Sequence, residues 1–166
     1  MSPGAPSEEM PPAAQCAVVT FAARRVVRFS DCDPAGIVFF PQYLVMLNGV
    51  VEEWFDRALQ VPYAALIGER RTGLPTVRLE IDFTAVSRHG DELIWSLGVE
   101  RLGRSSLTLG IQVHGATQLR LQARQVLVCT SLLTHRPQAL PHDVRAALEA
   151  QTALTPLTPA TAPRRP

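Results

Sequence analysis

The chain has 166 residues, 46% hydrophobic and 19% charged: enough apolar mass for one core of ordinary domain size, and few charges for a fully solvated monomer. The 16 basic side chains, all arginine, stand against 15 acidic ones, a balance that argues against nucleic acid or an anionic membrane as the main partner. Cys16, Cys32 and Cys129 show neither CxxC nor Cys/His spacing, which argues against a disulfide framework and a zinc site and fits a reducing cytoplasm.

Residues 1–16 are rich in Pro, Ala and Ser, and carry Glu8 and Glu9 where a secretory leader needs a basic start and an apolar run. The stretch 154–166 has the same character, so flexible tails are expected on either side of a folded unit over 17–153. No apolar run reaches the roughly 18 residues of a membrane span.

From Val18 to Phe29, β-branched and aromatic residues predict a first strand, closed by the turn formers between Ser30 and Gly36. Beyond Pro41, the residues Tyr43, Leu47, Val50, Val51, Trp54, Phe55 and Ala58 recur at steps of three and four and mark one face of a helix. Pro41 suits its first position, where a missing N–H costs nothing. Tyr63 to Gly68 predicts a short second helix. The period then drops to two: Val77 to Phe83, Leu93 to Val99 and Leu107 to Val113 each alternate apolar with other residues, as strands with one buried face do. Turns fall at Gly90-Asp91, Leu102-Gly103 and Gly115, a last strand runs from about Leu121 to Leu133, and a helix from about His142 to Gln151 ends the domain.

One strand, one long helix and four strands joined by short connections predict an α+β domain: a five-stranded antiparallel sheet with the helix across one face. The other face finds no second layer within the chain, which predicts a homodimer or larger homo-oligomer.

The densest chemistry is DCDPAGIVFFPQY, from Asp31 to Tyr43. Two carboxylates flank a tight turn that climbs into a helix N-terminus, where free backbone N–H groups and the helix dipole suit a developing oxyanion. Pro41 cannot donate, so Phe40 and then Gln42 are the candidate donors. Asp-Pro-Gly clusters also make ordinary Asx turns, and spacing alone leaves both readings open.

The stretch Val26 to Leu59 resembles the signature of the 4-hydroxybenzoyl-CoA thioesterase family of hotdog enzymes, D-x-D-x-x-G-x-V-x-[FYW]-x-x-Y, with Asp31, Asp33, Gly36, Val38, Phe40 and Tyr43 in order. The resemblance implies a hotdog fold and hydrolysis of acyl-CoA thioesters, with Asp33, Gly36 and the Phe40 backbone N–H as the catalytic set. Asp33 would work ionised, as nucleophile or as general base for water, while Asp31 braces the loop. An aromatic residue at position 40, where short-chain and Tol-Pal-associated relatives carry His, points to an aromatic acyl group. A broad short- or medium-chain thioesterase and a non-catalytic acyl-CoA-binding module are the competing readings.

Phe39, Tyr43, Leu47 and Thr76 are the expected acyl-site residues. Arg104, Ser105 and Ser106 match the region that binds the CoA phosphates in such enzymes, with Arg88 or Arg136 as substitutes, since Gly103 and Ser105 stand where the aromatic-acyl enzyme has basic residues. CoA enters as part of the substrate and no cofactor is expected. His89, His114, His135 and His142 lack metal-ligand spacing, so no metal is expected either. Glu52 and Glu53 are read as a solvated helix flank, Cys32 as a small packed side chain, and the resemblance adds a dimer of dimers.

Overall fold

A computed structural model describes residues 19–153, so the tails expected over 1–16 and 154–166 lie outside the described residues. The chain enters strand β1 (Phe21–Val26) and passes a 3-10 turn (Phe29–Asp31) into the long helix α1 (Phe40–Arg57). Next come helix α2 (Tyr63–Gly68) and strands β2 (Thr72–Gly73), β3 (Thr76–Phe83), β4 (Glu92–Leu102), β5 (Ser106–Gly115), β6 (Gln118–Val128) and β7 (Thr130–Ser131), and the described chain closes with helix α3 (His142–Ala153). The main sheet has the order β1-β4-β5-β6-β3, antiparallel throughout, which makes β1 and β3 its outer strands.

Period two places Leu93, Trp95 and Leu97 of β4, Leu107, Leu109, Ile111 and Val113 of β5, and Leu121 and Leu127 of β6 in the core. Period 3.6 sends Tyr43, Leu47, Val50, Val51, Trp54 and Phe55 of α1 to meet them. Burial of each large side chain contributes about 1.5–3 kcal/mol, and α3 adds Val144 and Leu148 to the same core. The Trp54 indole donates to Gln151 Oε1 at 2.9 Å, tying α3 to α1. Helix α1 stops because Gln60 turns left-handed at φ 56 and its amide caps the Arg57 carbonyl at 2.7 Å. This is the five-stranded antiparallel sheet with a helix across one face that the sequence predicts, and it agrees with the hotdog fold that the resemblance implies.

Three boundaries differ from the sequence reading. The first strand ends at Val26 rather than Phe29, because the Val27 N–H bonds to Asp91 O and residues 29–31 coil. The helix starts one residue early, at Phe40, with Pro41 in its first turn. The last strand begins at Gln118 and breaks at Cys129, whose N–H bonds to Ser105 O; Thr130–Ser131 then pairs with Thr72–Gly73 in a separate two-stranded ribbon. Gly73 belongs to that ribbon and not to β3, since Pro75 interrupts the run and a Cβ at Gly73 would meet Leu132 Cδ2 at 2.7 Å.

Candidate active site

The segment from Asp31 to Phe39 is pinned almost residue by residue. Asp31 Oδ2 accepts the Arg28 N–H at 2.7 Å, and its carbonyl accepts the Phe39 N–H at 2.9 Å. The Asp33 N–H donates to Ile37 O, the Gly36 N–H to Asp33 O and the Val38 N–H to Ser87 O, each at 2.9 Å. Gly36 sits at φ +74, a left-handed conformation in which a side chain is strained. Asp33 Oδ1 accepts the Ala35 N–H at 2.8 Å in an Asx turn. The local structure is therefore an Asx turn, and it leaves Asp33 Oδ2 without a partner among the described residues.

The segment delivers the chain into α1 with Phe39 as N-cap and no side chain capping it. The two candidate donors now separate. The Gln42 N–H is used on Phe39 O at 2.8 Å, whereas the Phe40 N–H has no acceptor among the described residues. An unpartnered N–H at the positive end of an 18-residue helix, following a half-buried carboxylate in the chain, can accept negative charge on a carbonyl oxygen.

Below Phe40 opens a cleft of about 330 Å³ lined by Ile37, Val38, Phe40, Tyr43, Phe83, Thr84, Ala85, Val86 and Ser87. Its walls are mostly apolar and its size lies at the low end for small-molecule sites. Its rim is open, with Phe40 59% and Phe83 49% exposed, and its floor is closed, with Tyr43 4% and Ser87 1% exposed. Tyr43 O–H donates to Ser87 Oγ at 2.8 Å. Burial raises the Tyr43 phenol above its ordinary value, against the Ser87 hydrogen bond and the nearby Arg120, which act the other way. The phenol is therefore a neutral donor near pH 7.

Of the residues singled out in the sequence, Asp33, Gly36, Phe39, Phe40 and Tyr43 are gathered in this loop and helix start. Leu47 is not part of the cleft; it lies in the core at 3% exposure. Thr76 opens β3 while Phe83 of the cleft closes it, about 23 Å along an extended strand. Thr76 Oγ1 accepts the Gln125 amide at 2.8 Å. Arg104, Ser105 and Ser106 share the Thr76 end, since Ser105 O accepts the Cys129 N–H and Pro75 O accepts the Val128 N–H. The carbonyls of Gly103 and Arg104 are held by the Arg145 guanidinium of α3, and Arg104 O also accepts the Leu140 N–H. The side chains of Arg104, Arg88 and Arg136 have no partner among the described residues.

The sequence missed the wall formed by Phe83 to Ser87, at and beyond the end of β3 and without any motif; its one signal is the exposed apolar pair Phe83 and Val86. Glu53 is also more than a solvated flank. Burial raises its carboxyl, but hydrogen bonds from Arg25 and Arg57 outweigh this and hold it below the usual range, and Arg25 NH2 reaches it at 2.6 Å to link β1 to α1.

The family profile of the Thioesterase-like superfamily matches residues 27–148. A 1,4-dihydroxy-2-naphthoyl-CoA hydrolase of Synechococcus sp. (strain CC9605) is 34% identical over 132 residues, 77% of this chain and 89% of its own length. The 4-hydroxybenzoyl-CoA thioesterase of Pseudomonas sp. (strain CBS-3) is 29% identical over 108 residues, 61% of this chain and 77% of its own. Among solved structures, a 1,4-dihydroxy-2-naphthoyl-CoA thioesterase from Synechocystis superposes with a TM-score of 0.71 at 28% identity, covering 77% of this chain and 94% of the other.

Proposed function

The chain belongs to the Thioesterase-like superfamily and is a hydrolase of acyl-CoA thioesters, and from that premise we propose that its preferred acyl group is aromatic and that Asp33 carries the reaction. The observation that supports this most is the pairing of a carboxylate oxygen free of protein partners with an unpartnered Phe40 N–H at the start of α1, beside a mostly apolar cleft. The thioester carbonyl oxygen would point at the Phe40 N–H, which takes up the negative charge that builds there. Asp33 would either attack the carbonyl carbon, expelling the CoA thiolate and leaving an anhydride for water to open, or remove the proton of an attacking water. Gly36 lets the turn close under the carboxylate, and Phe39 and Tyr43 contact the acyl group.

Arg104, Ser105 and Ser106, with Thr76, are proposed to serve the CoA half and the outer acyl site. In one protomer they lie at the far end of β3 from the cleft. Antiparallel pairing of β3 with the β3 of a second copy would bring that end of one chain to the cleft of the other and cover Val77 and Phe83, exposed on this outer strand. The proposed working unit is therefore a homodimer, with a tetramer as its further assembly; light scattering of a purely monomeric protein would overturn this. CoA enters as part of the substrate, so no cofactor is invoked. Among the described residues no helix is long and apolar enough to cross a membrane, and the free thiols of Cys32 and Cys129 support a cytoplasmic setting.

The test is thiol release from benzoyl-, 4-hydroxybenzoyl-, acetyl-, hexanoyl- and palmitoyl-CoA by wild type and Asp33→Asn. Fastest turnover on the aryl esters, lost in the variant, is the expected result. A hexanoyl-CoA optimum would replace the aromatic preference with a medium-chain one. A folded wild type that is stabilised by acyl-CoA and releases no thiol would make the protein a binding module.

A further inference from the structure

The floor of the cleft holds two hydroxyls joined by a single hydrogen bond, Tyr43 O–H to Ser87 Oγ at 2.8 Å. Whichever oxygen donates, one bond uses one of the two protons. The second has no acceptor among the described residues, although Ser87 is 1% exposed and Tyr43 4%. Both residues line the cleft. A buried donor without a partner costs free energy unless something enters to accept it.

The surroundings have the same polarity. The Trp95 indole N–H and the Arg120 Nε–H are buried without acceptors. The Trp95 ring centroid lies 6.4 Å from that of Tyr43. The Arg120 guanidinium donates to Val86 O at 2.6 Å, directly behind the cleft wall. The Asp91 carboxylate acts on the Tyr43 phenol, and its Oδ2 is occupied by Arg120 at 3.5 Å and by the Arg88 N–H at 3.0 Å. The two hydroxyls of the floor are thus backed by further buried donors that do not themselves line the cleft, and they lie within an otherwise apolar lining. One helical turn separates Tyr43 from Phe40, a rise of about 4.5 Å along the axis, so the floor and the proposed thioester-carbonyl site lie along one short path.

We propose that the Ser87–Tyr43 hydroxyl pair is a specificity determinant that reads an acceptor oxygen on the distal part of the acyl ring, with Ser87 as the residue that touches it. This rests on the cleft being the acyl site and says which residue selects among aryl groups there. An unsubstituted ring would displace solvent from the floor and leave the spare proton unpaired. A ring whose hydroxyl oxygen reaches Ser87 would restore the bond. Sites built to hydrogen-bond a ligand oxygen discriminate against analogues without it far better than apolar sites distinguish methylene groups. The remainder of the floor, Phe83 and Val86, fits the ring face and takes no part in the choice.

The experiment is binding of CoA thioether ketones, which cannot be hydrolysed: phenacyl-CoA and its 2-, 3- and 4-hydroxy isomers, titrated by calorimetry against wild type, Ser87→Ala and Ser87→Thr. Wild type is expected to bind one hydroxy isomer about 5- to 10-fold more tightly than phenacyl-CoA, the size of one net hydrogen bond. Ser87→Ala should bring that ratio to within about twofold of unity, and Ser87→Thr, which keeps the hydroxyl, should restore it. If Ser87→Ala does not fold, Ser87→Cys, with its weaker donor, should lower the ratio in the same direction. Equal affinity for all four ligands in wild type, or an unchanged ratio in Ser87→Ala, overturns the proposal. A purely structural Tyr43–Ser87 bond would weaken all ligands alike and leave the ratio intact. Turnover plays no part in this reading: loss of thiol release from every aryl ester would remove the proposed function, while flat binding ratios in an active enzyme would remove only the role of Ser87.

Discussion

The two tight turns proposed to carry the polar chemistry of this chain differ in how much of their support is their own. The acidic turn, residues 31–38, is held mostly by its own backbone and carboxylates, with one outside bond from the Val38 N–H to Ser87 O, so that Asp33 offers one oxygen in a set position. The arginine turn, residues 103–106, has a single bond of its own, from the Gly103 N–H to Ser106 O, and is otherwise held through its carbonyls by Arg145, Leu140 and Cys129, while its one long side chain, Arg104, has no partner among the described residues. A reacting group must be held in place because catalysis depends on orientation within a fraction of an ångström. A phosphate-binding group needs only charge and reach, and can adjust to its ligand.

This contrast can be broken most sharply at its rigid end. Asp33→Asn keeps the Oδ1 acceptor of the turn and removes the proposed base or nucleophile, so kcat should fall by about 10²–10⁴ with little change in KM or in melting temperature. Arg104→Ala addresses the adaptable end and should do the reverse: KM for aryl-CoA rises by about 5- to 10-fold, more than kcat falls, and the effect shrinks as salt is added. Steady-state kinetics at two ionic strengths separate the two.

Gly36→Ala tests whether the acidic turn stores conformational strain. No atom lies within 4 Å of the added Cβ, so the cost is the positive φ alone, about 1 kcal/mol, read as a fall of about 2–4 °C in melting temperature. The smallest effect belongs to the support of the arginine turn. Arg70 grips Asp143 of α3 with two bonds of 2.7 Å and holds its carboxyl below the usual range. A depressed folded value means the stabilisation is present above the unfolded value near pH 4 and is lost as pH falls through the folded one. Because Asp143 is 57% exposed, Asp143→Asn should cost no more than about 1 kcal/mol at pH 7. The difference in melting temperature between the two proteins should shrink as the pH falls below about 4.

The acidic turn was legible because nearly every bond that shapes it lies within a dozen residues, and the same holds for α1, whose apolar period spans the whole helix. The arginine turn was legible only in part: its residues were visible, whereas most of its supports come from positions 129, 140 and 145. Ser87 was invisible altogether. It follows a strand in a run without motif, and its importance comes from Tyr43, 44 residues earlier. The two-stranded ribbon was missed for the same reason, since Thr72 and Gly73 gain their partners from residues 130 and 131.

By itself the sequence determined the elements, their order, the buried faces and the acidic turn, since these follow from local periodicity, glycine conformation and short-range hydrogen bonds. Only the tertiary structure decided that Leu47 belongs to the core and not to the cleft, and that Thr76 and Arg104 sit at the far end of the sheet from it. Those outcomes depend on which distant segments share a wall or a carbonyl, and nothing in a residue's own neighbourhood along the chain encodes that.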